Sequence, residues 1–311
     1  MKVGAKFHQA GAPDDLADFA RQAEDHGFES LWRGEHLIVP REIRSINPYY
    51  ARSLAPGIES FHVLDPSVVF AYVAARTERI RLGFGAFLLP LRNPIEAARQ
   101  LMSLDVMSGG RVDVAVGMGW IREEFEVVGQ PWANRGRRAE EAIELMRALW
   151  TEQHPQHVGV HYRMAPVTFR PKPVQRPHPP ILISGVSPIA LERAGRLADG
   201  WYGHDLSVET ARQCVAQVQC VREKHGRADL PFEYTSRVGP DYSPHDIEAL
   251  AAAGVTRVVI DVGTYETHGR DAVSRNFARA ERDVVSVLGA PASGGHEFGA
   301  SESDEESYAT G

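Results

Sequence analysis

A glutamate followed by a histidine is the best candidate for proton transfer in the chain. Glu35 and His36 come almost directly after residues 28–33, which predict a strand. The imidazole of histidine titrates near neutral pH, and a neighbouring carboxylate can orient it. The two side chains therefore predict a catalytic acid or base at a strand end. The alternative is a histidine that only stabilises a loop by hydrogen bonding.

Two small-residue turns after other predicted strands are candidates for ligand binding. The turn Gly117-Met118-Gly119 lacks bulky side chains, so its backbone could approach a flat ligand closely, although a tight turn alone would explain it. The turn Ser184-Gly185-Val186-Ser187 precedes Pro188, which begins a predicted helix. The N–H groups at a helix start bind anions such as phosphate. Ordinary helix capping by Ser187 is the alternative there.

Other catalytic signatures are incomplete or missing in the sequence. The glycines at 117 and 119 are followed by Arg122 where a dinucleotide fingerprint needs a third glycine. The sequence contains neither a Walker motif nor a Gly-x-Ser-x-Gly elbow. His154, His157 and His161 are spaced loosely through a proline-containing stretch, which is not a typical metal-ligand pattern. We therefore predict no metal site, and a metal-dependent hydrolase is the least favoured function.

The elements that must position these residues alternate regularly between strands and helices. The predicted strands are residues 2–8, 28–33, 80–87, 111–116, 181–184, 200–202, 232–238 and 255–262. The predicted helices are residues 13–26, 65–78, 94–107, 134–150, 188–197, 208–225, 244–253 and 271–288. Eight strand–helix units predict an α/β fold, a (β/α)8 TIM-type barrel. Insertions follow strand 2 (residues 34–62) and strand 4 (residues 151–179, with a hairpin near 155–170). In such barrels the sites lie at the carboxyl ends of the strands.

Composition and charge exclude several classes of protein. The chain has 311 residues, of which 43% are hydrophobic and 24% charged, which is enough apolar material for a large core. The net charge of −7 argues against nucleic acid as a partner. No apolar run has the length of a membrane span or a secretory signal, so we expect a cytoplasmic protein without a membrane partner. Cys214 and Cys220 lie in one predicted helix and form no disulfide framework. We expect a barrel domain over 1–288 and a flexible acidic tail over 289–311.

Three segments carry a resemblance to a known family. They read GFESLWRGEHL, then IRLGFGAFLLPLRNPIEAARQLMSLDVMSGGRVDVAVGMGWIREEFEVVG, then RPKPVQRPHPPILISGVSPIALERAGRLADGW. In order and content they resemble the bacterial luciferase-like oxidoreductases, over about residues 1 to 265, and most closely the members that depend on coenzyme F420. The resemblance implies a (β/α)8 barrel that holds a flavin or deazaflavin in its mouth.

The resemblance also implies roles for particular residues. It places the ring of the cofactor near Ala86, Phe87 and Gly117–Gly119, beside a non-proline cis peptide within 85–87. It assigns the cofactor's phosphate to Ser184–Ser187, and it matches His36 to a histidine beside the reacting ring. Members of the family more often have Asp-His at these positions, and this chain departs from that pattern with the longer carboxylate of Glu35 before His36.

Three functions follow as hypotheses. The first is hydride transfer between coenzyme F420 and a small organic substrate, with His36 exchanging a proton. The second is an FMN-dependent monooxygenase that uses oxygen and reduced flavin from a separate reductase. The third is a flavin-binding barrel without catalysis. We also expect a homo-oligomer, most simply a dimer, and a separate flavin or F420 reductase as a possible partner.

Overall fold

Eight parallel strands form a closed barrel in the computed structural model, which describes residues 1–7, 12–47, 64–239 and 241–288. The barrel strands are β1 (Lys2–Lys6), β2 (Ser30–Arg33), β3 (Arg81–Phe87), β4 (Val112–Val116), β7 (Ile181–Ser184), β8 (Gly200–Gly203), β9 (Glu233–Val238) and β10 (Arg257–Ile260). Around the ring the order is β1-β10-β9-β8-β7-β4-β3-β2. The predicted (β/α)8 barrel is confirmed, and each of its eight strands overlaps a predicted one.

Helices follow the strands and cover the outside of the barrel. They are α1 (Pro13–Asp25), α2 (Pro66–Ala74), α3 (Pro94–Ser108), α4 (Arg122–Val128), α5 (Arg135–Thr151), α6 (Pro188–Leu197), α7 (Val208–Lys224), α8 (Pro244–Ala252), α9 (Tyr265–His268), α10 (Arg270–Ala280) and α11 (Ser286–Leu288). A π-helical segment, Glu281–Val285, joins the last two, and a 3-10 turn, Leu89–Leu91, follows β3. The helices α4 and α9 were not predicted, because each is shorter than two and a half turns.

Local capping explains why several helices begin where they do. Asp65 accepts hydrogen bonds from the backbone of Ser67 and Val68, and a proline occupies the first position of the helix that follows. Ser187 caps α6 in the same way through the N–H of Ala190. Such caps satisfy N–H groups that have no partner within the helix, so these starts were predictable from short sequence signals.

The insertion after β4 carries a small antiparallel hairpin, β5 (His157–Val158) and β6 (Arg163–Met164). This confirms the hairpin predicted near residues 155–170. Most of the insertion after β2 and the whole acidic segment 289–311 lie outside the described residues. No helix in the described ranges is long and apolar enough to cross a membrane. Cys214 and Cys220, both on α7, are free thiols.

Apolar side chains fill the space between barrel and helices, whereas the barrel interior is partly charged. Trp32 stacks on Tyr202 inside the barrel, with ring centroids 5.1 Å apart. At the amino ends of the strands, Asp113 accepts two hydrogen bonds of 2.8 Å from Arg81. Arg257 lies 3.7 Å from the same carboxylate. These cations lower the pKa of the buried Asp113 to about 2. This end of the barrel is therefore closed by ion pairs, and ligands must enter from the other end.

Candidate active site

A cavity of about 1340 Å³ opens at the carboxyl ends of the strands. Every barrel strand, or the segment directly after it, contributes to its wall. These contributions are Lys6 and Phe7, Trp32 to His36, Gly85, Ala86 and Leu88, Gly117 to Trp120, Ser184 to Ser187, Tyr202 and His204, Arg237, and Thr264 with Glu266 and Thr267. A space of this size holds a large cofactor together with a substrate. The structure therefore brings almost all the predicted site residues together in one place.

The wall that β3 contributes has an irregular backbone. The peptide bond between Gly85 and Ala86 is cis, as the family resemblance implied for residues 85–87. A β-bulge interrupts the pairing with β4, because Gly85 pairs with Ala115 while Phe87 pairs with Val116. Ala86 is thus the extra residue of the bulge, and it lines the cavity.

The bulge also reverses the side of the strand on which Phe87 lies. Its ring is fully buried and packs edge-on against Phe84, with centroids 5.4 Å apart. The guanidinium of Arg92 covers it at 4.8 Å. The family resemblance predicted Phe87 beside the ring of the cofactor. Its side chain instead packs in the core and does not line the cavity. Simple alternation along a strand does not anticipate this, because the extra residue changes the parity.

The glycines around this wall are required by packing between strands. A Cβ atom on Gly85 would lie 2.7 Å from the hydroxyl of Tyr202. A Cβ atom on Gly117 would lie 2.8 Å from that of Ala86. The turn Gly117-Met118-Gly119 lines the cavity as predicted. Its first glycine, however, makes room for the neighbouring strand, which supports the tight-turn interpretation of that residue.

His36 is held by a buried carboxylate that comes from a distant part of the chain. Its Nδ1 lies 2.9 Å from an oxygen of Glu124, in the first turn of α4. The side chain of Glu124 has no exposed surface and also accepts a hydrogen bond of 2.7 Å from the backbone of Leu37. A carboxylate can only accept, so an ionised Glu124 requires the proton of His36 on Nδ1. Nε2 is then the ring atom that can exchange a proton with a ligand.

Glu35 has a different task from the one its position beside His36 indicates. Its carboxylate accepts hydrogen bonds from the backbone of Leu88 at 2.7 Å and from Arg92 at 2.5 Å. Its side chain is 1% exposed. Burial raises the pKa of Glu35, and the cation of Arg92 opposes this rise. Glu35 therefore anchors the segment after β3, and the carboxylate that orients His36 is Glu124.

The turn after β7 leads into α6 as predicted and presents backbone N–H groups to the cavity. Ser187 caps the helix, and the N–H of Gly185 bonds to the carbonyl of Tyr202. Within the described ranges, the N–H groups of Val186, Ser187 and Ile189 have no hydrogen-bond acceptor. Ser184 instead contacts Nε2 of His204 through its hydroxyl, at 3.1 Å. The helix start and the free N–H groups together suit an anion.

Two arginines reinforce the positive charge beside this turn. Arg135 and Arg193 both line the cavity, and burial together with the cation of Arg193 lowers the pKa of Arg135. Arg193 pairs with Glu140 at 2.6 Å, while Arg135 lies on the ring of Trp132 at 3.5 Å. Two cations held close to each other are stabilised when an anion binds near them.

Sequence reasoning missed several residues of the cavity. Burial and the nearby cation of Arg237 lower the pKa of His204 to about 3, so this imidazole stays neutral at physiological pH. Its ring meets that of Tyr202 at 4.9 Å. Tyr202 and His204 lie at the carboxyl end of β8, where the rule that sites lie at strand ends would have found them. Nothing in the sequence signals that Glu124 contacts His36, because 88 residues separate them.

Comparison with known proteins identifies the family. The family model described as luciferase-like monooxygenase matches residues 1–292. An uncharacterized protein of Mycobacterium tuberculosis is 30% identical over 269 residues, which are 86% of this chain and 92% of that protein. The chain belongs to the luciferase-like monooxygenase family. A solved member of this fold, the monooxygenase RslO1 from Streptomyces bottropensis, superimposes with a TM-score of 0.73 at 21% identity, covering 92% of this chain and 99% of that one.

Two further relatives of this luciferase-like protein have known activities. An F420-dependent glucose-6-phosphate dehydrogenase of Amycolatopsis mediterranei is 30% identical over 207 residues, 65% of this chain and 56% of that enzyme. An FMNH2-dependent dimethylsulfone monooxygenase of Pseudomonas putida is 38% identical over 153 residues, 48% of this chain and 41% of that enzyme. These two relatives are oxidoreductases, one dependent on FMNH2 and the other on F420.

Proposed function

We propose that the protein is an oxidoreductase that transfers a hydride between coenzyme F420 and a small organic substrate. The observation that carries this proposal is His36, held in the cavity wall by the buried carboxylate of Glu124 at 2.9 Å. A protein that only stored a flavin would gain nothing from a histidine kept in one tautomer. The similarity to an F420-dependent dehydrogenase over 207 residues supports the choice of cofactor.

The residues present fit a phosphorylated flavin or deazaflavin. The N–H groups of Val186, Ser187 and Ile189, which lack an acceptor among the described residues, suit its phosphate, and Arg135 lines the same cavity. Ala86 and the turn 117–119 offer a wall with small side chains for its ring. When bound, the deazaflavin supplies a carrier of two electrons in the form of a hydride.

The chain itself supplies orientation and a proton in this proposal. His36 donates a proton from Nε2 to the substrate atom beside the one that accepts a hydride, or removes one in the reverse direction. Glu124 keeps Nδ1 protonated and stabilises the ring when it is positively charged. Trp120 packs edge-on against His36 with centroids 6.2 Å apart, and so restricts the orientation of the imidazole.

An FMN-dependent monooxygenase is the second candidate. The observation that favours it is the 38% identity with the FMNH2-dependent enzyme, which is higher than the identity with the F420-dependent one but over a shorter segment. In that case a separate reductase would supply reduced flavin, and oxygen would be a substrate.

Titration of the purified protein with F420 and with FMN, each oxidised and reduced, tests the proposal. We expect F420 to bind at least tenfold more tightly than FMN, and Arg135→Gln to weaken that binding. Preferential binding of reduced FMN, with oxygen consumption, would replace the proposal with the monooxygenase. Failure of both cofactors to bind would refute both functions.

We also propose that the protein acts as a homo-oligomer, most simply a dimer. Sedimentation equilibrium measures the mass directly, and a species of 34.3 kDa, the mass of one chain, would contradict a dimer.

A further inference from the structure

Arg33 is a buried cation that the proposed reaction does not use. It ends β2, it is 3% exposed, and it lines the cavity. One of its nitrogens, Nη2, donates a hydrogen bond of 2.9 Å to the carbonyl of Leu64. No group in the described ranges accepts a hydrogen bond from its Nε or Nη1. Among the buried side chains that the structure describes, Arg33 is the one that leaves two nitrogen atoms without an acceptor. Burying a guanidinium with unpaired N–H donors lowers the stability of the fold unless a ligand accepts hydrogen bonds from them.

The carboxylates nearest to Arg33 are already engaged by other groups. Glu35 is bound by Arg92 and by the backbone of Leu88. Asp65 caps α2 through two backbone N–H groups and lies 3.6 Å from Arg92. Neither carboxylate comes within 4 Å of Arg33 in the described ranges. Burial lowers the pKa of Arg33 to about 9, so the side chain still carries a positive charge at neutral pH.

The position of Arg33 separates it from the anion site at the start of α6. The strand β2 lies three places from β7 in the eight-stranded ring, with β3 and β4 between them. A phosphate held at the turn 184–187 therefore cannot also satisfy Arg33. Three other cations of the cavity have carboxylate partners: Lys6 pairs with Asp261, Arg193 with Glu140 and Arg237 with Asp205. Arg135, beside the turn 184–187, lies instead on the ring of Trp132. Arg33 has no such partner in the described part of the chain, so it adds a second anion site to the cavity.

We propose that Arg33 binds a carboxylate of the substrate, so that the enzyme acts on a small organic acid. The planar N–H array of a guanidinium matches the two oxygens of a carboxylate. Phe7 is buried beside the cation, with its ring centroid 5.9 Å away, and these apolar surroundings strengthen the attraction between Arg33 and a carboxylate. This inference rests on the proposed function, since it names the substrate class of the same cavity.

Thermal melting of the protein without cofactor tests the inference with two probes. Benzoate carries the predicted carboxylate, and benzamide is its uncharged analogue. We expect benzoate to raise the melting temperature of the wild type and benzamide to leave it unchanged. Arg33→Met should weaken the apparent affinity for benzoate at least tenfold. Arg135→Gln, at the other end of the cavity, should keep the response to benzoate and lose the response to inorganic phosphate.

The variant without ligand gives an independent measurement. Methionine replaces the aliphatic part of the arginine side chain and removes the unpaired charge, so Arg33→Met should melt at or above the wild-type temperature. A lower melting temperature would overturn the inference, because it would show that the guanidinium is satisfied within the fold. A response to benzoate that Arg33→Met leaves unchanged would overturn it as well, and so would equal responses to benzoate and benzamide. Because no cofactor is present, these outcomes are independent of the titrations with F420 and FMN.

Discussion

Replacing Glu124 with glutamine tests whether the buried carboxylate prepares His36 for proton transfer. Glu124 accepts hydrogen bonds from His36 at 2.9 Å and from the backbone of Leu37 at 2.7 Å. In Glu124→Gln the amide oxygen can still accept from Leu37, so the loop keeps that contact. The amide nitrogen then faces Nδ1 as a donor, which favours a proton on Nε2 in the neutral ring. The variant should therefore fold normally and hold His36 in the wrong tautomer.

The expected loss follows from the strength of the interaction that is removed. A hydrogen bond to a charged group contributes about 1.5–3 kcal/mol net. If the hydrogen bond from His36 to Glu124 stabilises the charged imidazole in the transition state, its loss should lower kcat about 10- to 150-fold while KM changes little. Turnover at saturating cofactor measures this loss. NMR of the protein labelled with 15N-histidine reports the tautomer of His36 independently of activity.

The neighbouring residue provides a matched control. Glu123 lies in the same turn of α4 and also holds the segment after β2, through the backbone of Arg44 and the hydroxyl of Ser45 at 2.7 Å. Glu123→Gln should disturb that segment to a similar extent and leave kcat within about threefold. Equal losses in the two variants would show that Glu124 only positions the loop. An unchanged tautomer in Glu124→Gln would refute the reasoning directly.

Four further predictions concern the site, the fold and the tail. His36→Ala should lose about 10²–10⁴-fold in kcat and keep its affinity for cofactor, which titration and steady-state kinetics check. Gly185→Ala should lower both the melting temperature and cofactor affinity, since Gly185 has a φ of +132° and lines the cavity. Gly129 has a φ of +76° and lies outside the cavity, so the control Gly129→Ala should lower only the melting temperature. Asp113→Ala should cost about 3–5 kcal/mol in urea unfolding at pH 7. Because Asp113 has a pKa lowered from 3.8 to about 2, its ionised form adds about 2 kcal/mol of stability that is complete above pH 4 and is lost as the pH falls through 2, so the difference between wild type and variant should shrink by that amount. Deletion of residues 289–311 should leave melting temperature and activity unchanged, and a large drop in either would show that this segment contributes to the folded protein.

The fold was largely predictable because its signals are local. Strand β7 was predicted with the bounds it has, since a short apolar run between a proline pair and a glycine turn has few alternatives. Helices α2 and α6 begin at the predicted cap and proline. The bulge in β3 was not predictable from alternation, and it is the reason that Phe87 lies in the core while Ala86 lines the cavity.

The sequence by itself determined which residues stand at the strand ends, because each strand and each turn is recognised from residues that are adjacent in the chain. It therefore placed His36, the turn 117–119 and the turn 184–187 at the mouth of one barrel. Only the tertiary structure decided how the charges pair. Glu35 contacts Arg92, 57 residues away, and His36 contacts Glu124, 88 residues away. Closing the barrel brings these groups within hydrogen-bond distance and removes water from them, and neither effect is a function of sequence separation.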